Sequence, residues 1–207
     1  MTKRKFNDKI KWNKADLGGG IMSRFTKDAI TDSFLRLLEE KRLDKITVKD
    51  IVLDCGVSRK TFYYYFDDIY DLLEKCLADK AQEASSRVSD FESFEKELLN
   101  LSDFVMKHKK AMYHIYYSVS RDKLEDYLYN GSIDTLTQII KKKSVGTGCN
   151  DEDIEIVSIL CTNAFTSCVL RWIKDGMRSD LGHILKRITL MFDDALKAAL
   201  IKAGQNK

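Results

Sequence analysis

Apolar residues recur at the spacing of an α-helix in several segments of the chain. The first such segment follows Thr26, and its apolar residues fall at i, i+4, i+7 and i+8: Ile30, Phe34, Leu37 and Leu38. Another advances in steps of three and four residues: Phe91, Phe94, Leu98, Leu101 and Val105. Both spacings place the apolar side chains on one helix face. With no proline and only 10 glycines to interrupt helices, the sequence predicts an all-α fold.

Capping residues mark where these helices begin and end. Thr47 and Asp50 have the spacing of a capping box, which opens a short helix that stops at Gly56. Ser58 caps the next helix, and Asp68 precedes a longer one. The predicted helices cover about residues 26–42, 48–55, 59–66, 69–87, 91–105, 109–129, 131–143, 151–174 and 181–203, with a loop over 144–150.

Charge is distributed unequally along the chain. Residues 1–66 carry 15 basic and 9 acidic side chains, whereas residues 67–207 carry 20 basic and 23 acidic ones. A basic first third favours a polyanionic partner. Residues 1–21 show no helical stripe and are predicted to be a flexible basic arm, with a misassigned start before Met22 or an expression remnant as the alternatives.

Other classes of function find little support in the sequence. The five cysteines include no Cys-x-x-Cys pair, and His108 and His114 are too far apart in sequence to share a helix face. No catalytic triad, glycine-rich phosphate loop or His-Glu-x-x-His motif occurs, so we expect no enzyme activity, metal or cofactor. Without an apolar run of about 18 residues or a secretory signal, the expected location is the cytoplasm, with no membrane contact.

Two short helices joined through Gly56 form a predicted helix-turn-helix. The second begins with four hydrogen-bond donors: Ser58, Arg59, Lys60 and Thr61. Such a helix start suits contacts to phosphates and to guanine edges. Three tyrosines follow, and they cannot all face inward, whereas Phe62 and Phe66 share the inner face. The sequence therefore favours a DNA-binding helix.

The region Thr26–Leu77 resembles the DNA-binding domain of the TetR/AcrR family of bacterial transcription regulators. The matching segments are Ile46–Ile51, Cys55–Phe66 and Asp71–Leu73. The Thr61–Phe66 run, with Trp172-Ile173 and Gly176-Met177, resembles a subgroup of this family that includes regulators of dihydroxyacetone-kinase operons.

The resemblance implies a role for each residue that matches the family motif. Thr47 caps the first helix of the motif and touches a phosphate, and Lys49 reaches a phosphate or a base. Arg59, Lys60 and Thr61, after the Ser58 cap, face the major groove. Tyr63 binds phosphate, Tyr64 lies near base or backbone, and Tyr65 occupies a position often held by histidine.

The resemblance also implies a domain organisation and partners. We expect the arm at 1–21, a helix-turn-helix DNA-binding domain at 22–68 and a ligand-binding and dimerisation domain at 69–205. A homodimer would read a palindromic double-stranded DNA operator and respond to a small-molecule effector. The last two long helices are the expected dimer interface, with these apolar faces: Ile156, Leu160, Ala164 and Ser167, then Ile184, Ile188, Met191, Leu196 and Leu200.

Polar and aromatic residues of the later helices are candidates for lining the effector cavity, although core packing explains each of them equally well. They are Tyr113, Tyr116, Tyr117, Asn163, Thr166 and Trp172.

Three outputs remain open at this stage. Repression is the commonest output in the family and is our first expectation, with a transcriptional activator working through a partner protein as an alternative. A helical interaction adaptor with a weakened DNA-binding head is the other alternative. Ile69 favours the adaptor, because most of the family has a phosphate-binding lysine there.

The arm generates the first testable prediction. Residues 1–24 hold seven basic and two acidic side chains. Each phosphate that they neutralise adds about 0.9 to the slope of log affinity against log salt. A chain that starts at Met22 should therefore bind its operator more weakly at low salt and with a shallower slope, and Ile69→Lys should restore part of the affinity. Anisotropy titrations over a salt series measure both quantities, and identical slopes would show that the arm contributes nothing.

Overall fold

The computed structural model describes residues 19–205, with the side chains of residues 24–90 and 92–205. Its helices are α1 (Gly19–Glu40), α2 (Val48–Cys55), α3 (Arg59–Tyr65), α4 (Ile69–Ser85), α5 (Phe91–Lys107), α6 (Lys109–Tyr116), α7 (Arg121–Ser144), α8 (Asp151–Lys174) and α9 (Leu181–Gln205). A 3-10 turn at Leu43–Lys45 connects α1 to α2. No β-strand occurs within residues 19–205, and the all-α prediction is confirmed.

The first three helices form a head around a small apolar core. The inner face of α1 is fully buried at the predicted positions Ile30, Phe34 and Leu38. These side chains belong to the same buried cluster as Phe62 of α3 and Phe66, the residue that follows α3. Removing a phenylalanine side chain from water contributes about 1.5–3 kcal/mol, so this contact fixes the orientation of the recognition helix.

The core of the head continues into the rest of the chain. The same buried cluster includes Leu72 and Leu73 of α4, Ile115 of α6, Leu124 of α7 and Leu170 of α8. In the C-terminal part, α7 packs along α8, α5 packs on α9, and α4 crosses α7. The predicted boundary at residue 68 therefore falls inside one continuous core.

The structure divides the segment 109–143 differently from the sequence prediction, which was wrong about the break. We expected one helix over 109–129 and another over 131–143, but α6 ends at Tyr116 and α7 begins at Arg121. Ser120 caps α7, its hydroxyl accepting from the Lys123 amide at 3.4 Å. Gly131 lies inside α7, where a Cβ would come within 3.0 Å of the Ala81 Cβ, so this glycine permits the close crossing of α4 rather than a helix break.

The start of α1 also differs from expectation. The first described residue, Gly19, is already helical, although it lies in the run of glycines that predicted an unstructured segment and precedes the predicted start near Thr26. The low helix propensity of glycine predicted a non-helical segment here, but these glycines do not prevent the helix from forming. The rest of the predicted arm, residues 1–18, lies outside the described residues.

The apolar faces of α8 and α9 are only partly those that the sequence predicted for dimerisation. Ile156 and Leu160 of α8 and Met191 of α9 are exposed, as a contact surface requires. Leu196 and Leu200 are buried instead, in a cluster with Ile140 and Ile154 of the same chain. The prediction for these two leucines was wrong, because they complete the core between α7, α8 and α9.

Helix α8 contains a longer apolar stretch than the sequence pattern predicted. By length and composition alone it has the properties of a membrane-crossing helix, with a mean hydropathy of 1.5 over its most apolar window. A core helix passes the same test. Its Ser158, Thr162 and Thr166 lie four residues apart and are buried, and α8 packs along α7. One face of α8 is therefore packed inside the protein, while 28 % of the most apolar window as a whole is buried.

The turn of the helix-turn-helix yields a stability prediction. Gly56 has a φ of 72°, and a Cβ there would meet no atom within 4 Å, so a side chain would cost backbone strain alone. Gly56→Ala should lower the free energy of unfolding by about 1–2 kcal/mol, and Gly56→Asn by less, because asparagine tolerates this conformation. Urea denaturation measures both values. An alanine variant as stable as the native chain would contradict this assignment.

Candidate nucleic-acid interface and internal cavity

Helix α3 presents one face to the core and the opposite face to solvent. Phe62 is 0 % exposed and Phe66 is 1 % exposed, as the sequence predicted, whereas Arg59 and Lys60 are exposed. The Ser58 hydroxyl caps the helix by accepting from the Thr61 amide at 3.0 Å. The cap and the buried phenylalanines thus fix which residues point outward.

The three tyrosines of α3 fall into two environments. Tyr63 and Tyr64 are 56 % and 79 % exposed, so their hydroxyls are available to a partner molecule. Tyr65 is half-buried and packs against the head core. The rings brace one another, since Tyr63 stands edge-on to Phe62 at 5.5 Å and Tyr64 edge-on to Tyr65 at 4.9 Å between ring centroids.

The basic residues of the head separate into paired and unpaired groups. Lys27, Arg36, Lys41, Arg42 and Lys45 each form an ion pair with an aspartate. Among the described residues, no such pair involves four other cations of the head: Arg24, Lys49, Arg59 and Lys60. Three of these four lie on the two helices of the helix-turn-helix.

Asp50 connects the start of α2 to the end of α1. Its carboxylate accepts from Lys41 Nζ at 3.0 Å and from the Thr47 hydroxyl and amide, each at 2.8 Å. The Asp50 amide donates to Thr47 Oγ1 at 3.2 Å, which completes the predicted capping box. The Lys41 and Thr47 hydrogen bonds lower the pKa of Asp50 to about 2. Both donors of Thr47 are thus used within the protein.

Asp68 caps the start of α4, and Asp71 adds a second carboxylate there. Asp68 accepts from the Tyr70 and Asp71 amides at 2.7 and 2.8 Å, while the Asp71 carboxylate accepts from the Asp67 amide at 2.9 Å. Ile69 is half-buried against the head core, so it serves packing at the position where the resemblance implied a lysine.

Lys75 was not singled out by the sequence, although its i, i+4 spacing from Asp71 was visible. Its Nζ donates to Asp71 at 2.8 Å and to the Tyr65 carbonyl at 3.1 Å, and it lies 5.5 Å from the centre of the Phe66 ring. It therefore satisfies a terminal carbonyl of α3 from α4.

An apolar cavity of about 250 Å³ lies among α4, α5, α6, α7, α8 and the start of α9. This volume is close to the lower end of the range of about 300–1,000 Å³ for small-molecule pockets. The largest side chains of its lining are aromatic: Phe94, Phe104, Tyr116, Tyr127, Phe165 and Trp172.

Two of the six residues predicted to line a ligand site, Tyr116 and Trp172, line this cavity. The other four lie elsewhere. Tyr117 is exposed, Tyr113 stacks on it at 6.0 Å, and exposed Asn163 donates to the Ile159 carbonyl at 2.9 Å. Thr166 is buried away from the cavity, and its hydroxyl has no hydrogen-bond partner among the described residues. Helix rotation, which the sequence pattern leaves open on an apolar helix, decides these positions.

Helix α6 touches both the cavity and the head. Met112, Ile115 and Tyr116 line the cavity. From the same helix, His114 Nδ1 donates to the Leu38 carbonyl at 2.6 Å, and in return Arg42 donates to the Tyr117 carbonyl at 2.8 Å.

The residue before α6 adds a further bond between the two parts. His108 Nδ1 lies 2.8 Å from Glu39 Oε1. We call the contacts of His108, His114 and Arg42 with Glu39, Leu38 and Tyr117 the α1–α6 clasp. The spacing of these histidines in the sequence argued only against a shared metal site and gave no indication of contacts with residues about 70 positions away.

Comparisons with known proteins agree with the two-part organisation. A family model described as "Bacterial regulatory proteins, tetR family" matches residues 30–76, and one described as "Transcriptional regulator C-terminal region" matches residues 92–194. No curated protein sequence is significantly similar to the chain.

Among the solved structures that resemble the chain, two are each 19 % identical to it in sequence. One is described as "Dihydroxyacetone kinase operon activator DhaS", with a TM-score of 0.69 over 84 % of this chain and 98 % of that one. Another is a TetR transcriptional regulator from Streptococcus agalactiae 2603V, with a TM-score of 0.48 over 89 % of this chain and 96 % of that one. At this identity the first likeness shows a shared fold.

The Asp50 network predicts a pH-dependent contribution to stability. Because the folded pKa of Asp50 is about 2 and its ordinary value is 3.8, the ionised network stabilises the fold above pH 3.8 and is lost as the pH falls towards 2. Asp50→Asn should therefore destabilise the chain at pH 7, by an amount that shrinks between pH 4 and pH 2. Lys41→Met should reproduce part of this effect. A pH-independent difference between Asp50→Asn and the native chain in denaturant titrations would contradict the assignment.

Proposed function

The chain belongs to the TetR family of bacterial transcriptional regulators, and from this membership we propose that it is a repressor released from a palindromic DNA operator by a small-molecule effector. The observation that carries the DNA-binding part is the exposed face of the helix-turn-helix, where Lys49, Arg59 and Lys60 form no ion pair among the described residues. Elsewhere in the head, aspartates neutralise most cations. This arrangement leaves the positive charge where a DNA groove would meet it.

We assign distinct DNA contacts to the residues on this face. Arg59, Lys60 and Thr61 read base edges in the major groove, because they occupy the first turn of an exposed helix that begins at the Ser58 cap. Tyr63 and Tyr64 donate their exposed hydroxyls to phosphates or bases.

The remaining residues of the predicted interface have supporting roles. Lys49 provides a positive charge to the backbone from α2. Thr47 positions α2 through Asp50, and it contacts a phosphate only if its hydroxyl leaves that carboxylate. Tyr65 supports the helix from its half-buried position and contributes least to DNA.

Dimerisation is the part of the proposal that the exposed surface of α8 and α9 supports. Apolar side chains that the protomer leaves in solvent include Ile156, Ile159 and Leu160 on α8, and Leu190, Met191 and Phe192 on α9. Several large apolar side chains exposed on two neighbouring helices are typical of interaction surfaces. A symmetric dimer would place two recognition helices on the two halves of a palindrome.

The α1–α6 clasp offers a route from effector to DNA. A ligand in the cavity would contact Met112, Ile115 and Tyr116 of α6, and α6 is hydrogen-bonded to the end of α1 through His114. If the ligand favours a shifted position of α6, then the head turns with it and the spacing of the two recognition helices changes. The effector can change the affinity for DNA by no more than the ratio of its own affinities for the two states.

The DNA contacts are tested by two substitutions that should differ in kind. Arg59→Ala should cost about 1–3 kcal/mol per half-site and relax base preference, because a bidentate base contact is lost. Tyr63→Phe should weaken specific and nonspecific DNA alike, because a phosphate contact carries no sequence information. Selection from a randomised DNA pool, followed by anisotropy titration of the recovered sequences, measures both effects.

The matched control is Arg121→Ala, which removes an exposed arginine from α7, outside the head, and should leave DNA affinity unchanged. If Tyr63→Phe changes the preferred sequence while overall affinity stays the same, the two roles are assigned wrongly. A reporter placed behind the recovered operator then distinguishes repression from activation by the direction of the change.

Dimerisation is tested by sedimentation. The chain should sediment at twice its mass of 23.9 kDa, and Leu160→Glu should shift the equilibrium towards the monomer by placing a charge in the apolar surface. Leu53→Glu is the matched control, because Leu53 is an equally exposed leucine on α2 of the head. A monomer at micromolar concentration in the native chain would contradict the proposal.

A further inference from the structure

The face of α8 that the protomer leaves in solvent has a regular order of residues. Exposed side chains follow one another along the helix at intervals of four residues: Glu155, Ile159, Asn163, Ser167 and Arg171. Exposed Ile156 and Leu160 lie beside this row. We call these seven residues the α8 ridge. Residues four apart are neighbours on a helix surface, and a row of them packs into the groove of a second helix.

The two ends of the α8 ridge carry opposite charges at equal distances from its centre. Glu155 lies eight residues before Asn163, and Arg171 lies eight residues after it. Exposed Glu152 and Lys174 repeat this relation at eleven residues on either side. Two copies of α8 that run antiparallel and cross at Asn163 therefore bring each acid to a base of the other copy. Two parallel copies in the same register would bring like charges together.

These charges remain available for a contact between copies. Glu152, Glu155 and Lys174 form no ion pair within the described residues 24–90 and 92–205. Arg171 pairs with Asp175 through Nε at 2.8 Å, but its guanidinium has further N–H donors. The helix dipole accounts for acids in the first turn of α8, whereas Glu155 lies beyond that turn. The position of Glu155 thus needs another explanation.

Asn163 places a polar group at the centre of this largely apolar surface. Its Nδ2 donates to the Ile159 carbonyl at 2.9 Å, which uses one of its two hydrogens. Its Oδ1 has no hydrogen-bond partner among the residues that the structure describes. Two such amides that face each other across a twofold axis can each donate to the Oδ1 of the other. A shifted register would cover these groups without giving them partners, which is unfavourable.

We propose that two copies of the chain pair through the α8 ridge in antiparallel orientation, with the twofold axis at Asn163, and that Asn163 fixes this register. The proposal rests on the dimer proposed above and adds its geometry. A second copy is the occupant because the charge pattern is complementary to its own reversal. The most apolar window of α8 is moreover only 28 % buried in one protomer. In coiled coils, a single polar residue in an apolar interface specifies the register in the same way.

The register is tested by cysteine cross-linking of the full chain. Asn163→Cys should give a disulfide-linked dimer under mild oxidation, because the two thiols meet at the axis. Ile156→Cys is the matched control, since it is exposed on the same face. At 1.5 Å per residue, its two copies would lie about 21 Å apart along the helices, beyond the reach of a disulfide. The native chain, whose five cysteines are half-buried, gives the background under the same oxidation.

Pairing of charges between copies is tested by two charge reversals. Glu155→Arg and Arg171→Glu should each raise the dissociation constant of the dimer about tenfold, because the symmetry opposes like charges twice and each exposed ion pair contributes up to about fivefold. An equimolar mixture of the two variants should recover the native affinity, since opposite charges then meet at both contacts. A loss confined to the Asp175 pair within one helix would not be recovered by mixing. Sedimentation velocity measures all three samples, with Glu92→Arg on exposed α5 as the neutral control.

The selecting role of Asn163 is tested by Asn163→Leu. This variant should associate at least as tightly as the native chain, because no amide is covered at the interface. Ile156→Cys should become cross-linkable in the Asn163→Leu chain, because shifted registers then cost nothing extra. An unchanged cross-linking pattern would show that Asn163 does not select the register.

The outcomes distinguish the register from the dimer itself. If the native chain is a dimer but Ile156→Cys cross-links as readily as Asn163→Cys, or neither does, the proposed register is wrong and the dimer stands. The same conclusion follows if the mixture of charge variants does not recover the native affinity. A chain that sediments as a monomer and cross-links at neither position would overturn both the register and the dimer.

Discussion

A helix of seven residues does not persist alone in water, so everything that this chain does with DNA depends on what holds α3 in place. Phe62 and Phe66 are buried in one cluster with the inner face of α1, and the Ser58 cap and the Lys75 contact to the Tyr65 carbonyl hold the two ends. The outward direction of Arg59, Lys60 and Tyr63 follows from this arrangement. Their exposure is a consequence of packing on the opposite face.

Much of the head was readable from the sequence because its signals are local. A capping box, a glycine in the left-handed conformation and two phenylalanines four residues apart each act within one or two helical turns, and the structure has all of them. Features that depend on contacts between residues far apart in the sequence were predicted wrongly. The break between α6 and α7 lies next to the Ser120 cap rather than near Gly131. Gly131 instead leaves room for Ala81 of α4, which packs against it.

The candidate sites followed the same rule. Exposed positions on α3 were predictable from the alternation of inner and outer faces, whereas the cavity lining was not. Tyr113 and Tyr116 are three residues apart, yet only Tyr116 lines the cavity. Leu196 and Leu200 likewise turned inward to a cluster with α7 and α8. Net charge was a similarly incomplete guide, since aspartates of the head and Asp79 of α4 form ion pairs with five cations of the head and leave a smaller set unpaired.

The α1–α6 clasp has a consequence for how the two parts of the molecule can be used. The end of α1 exposes carbonyl groups that its own helix leaves without donors, and His114 satisfies one of them from a distant part of the sequence. In the other direction, Arg42 donates to the Tyr117 carbonyl at the end of α6. A head excised at residue 68 would lose these bonds along with the shared apolar core. The recognition helix is therefore a poor candidate for grafting as a module, and chimaeras of this chain should exchange α1–α3 together with α6.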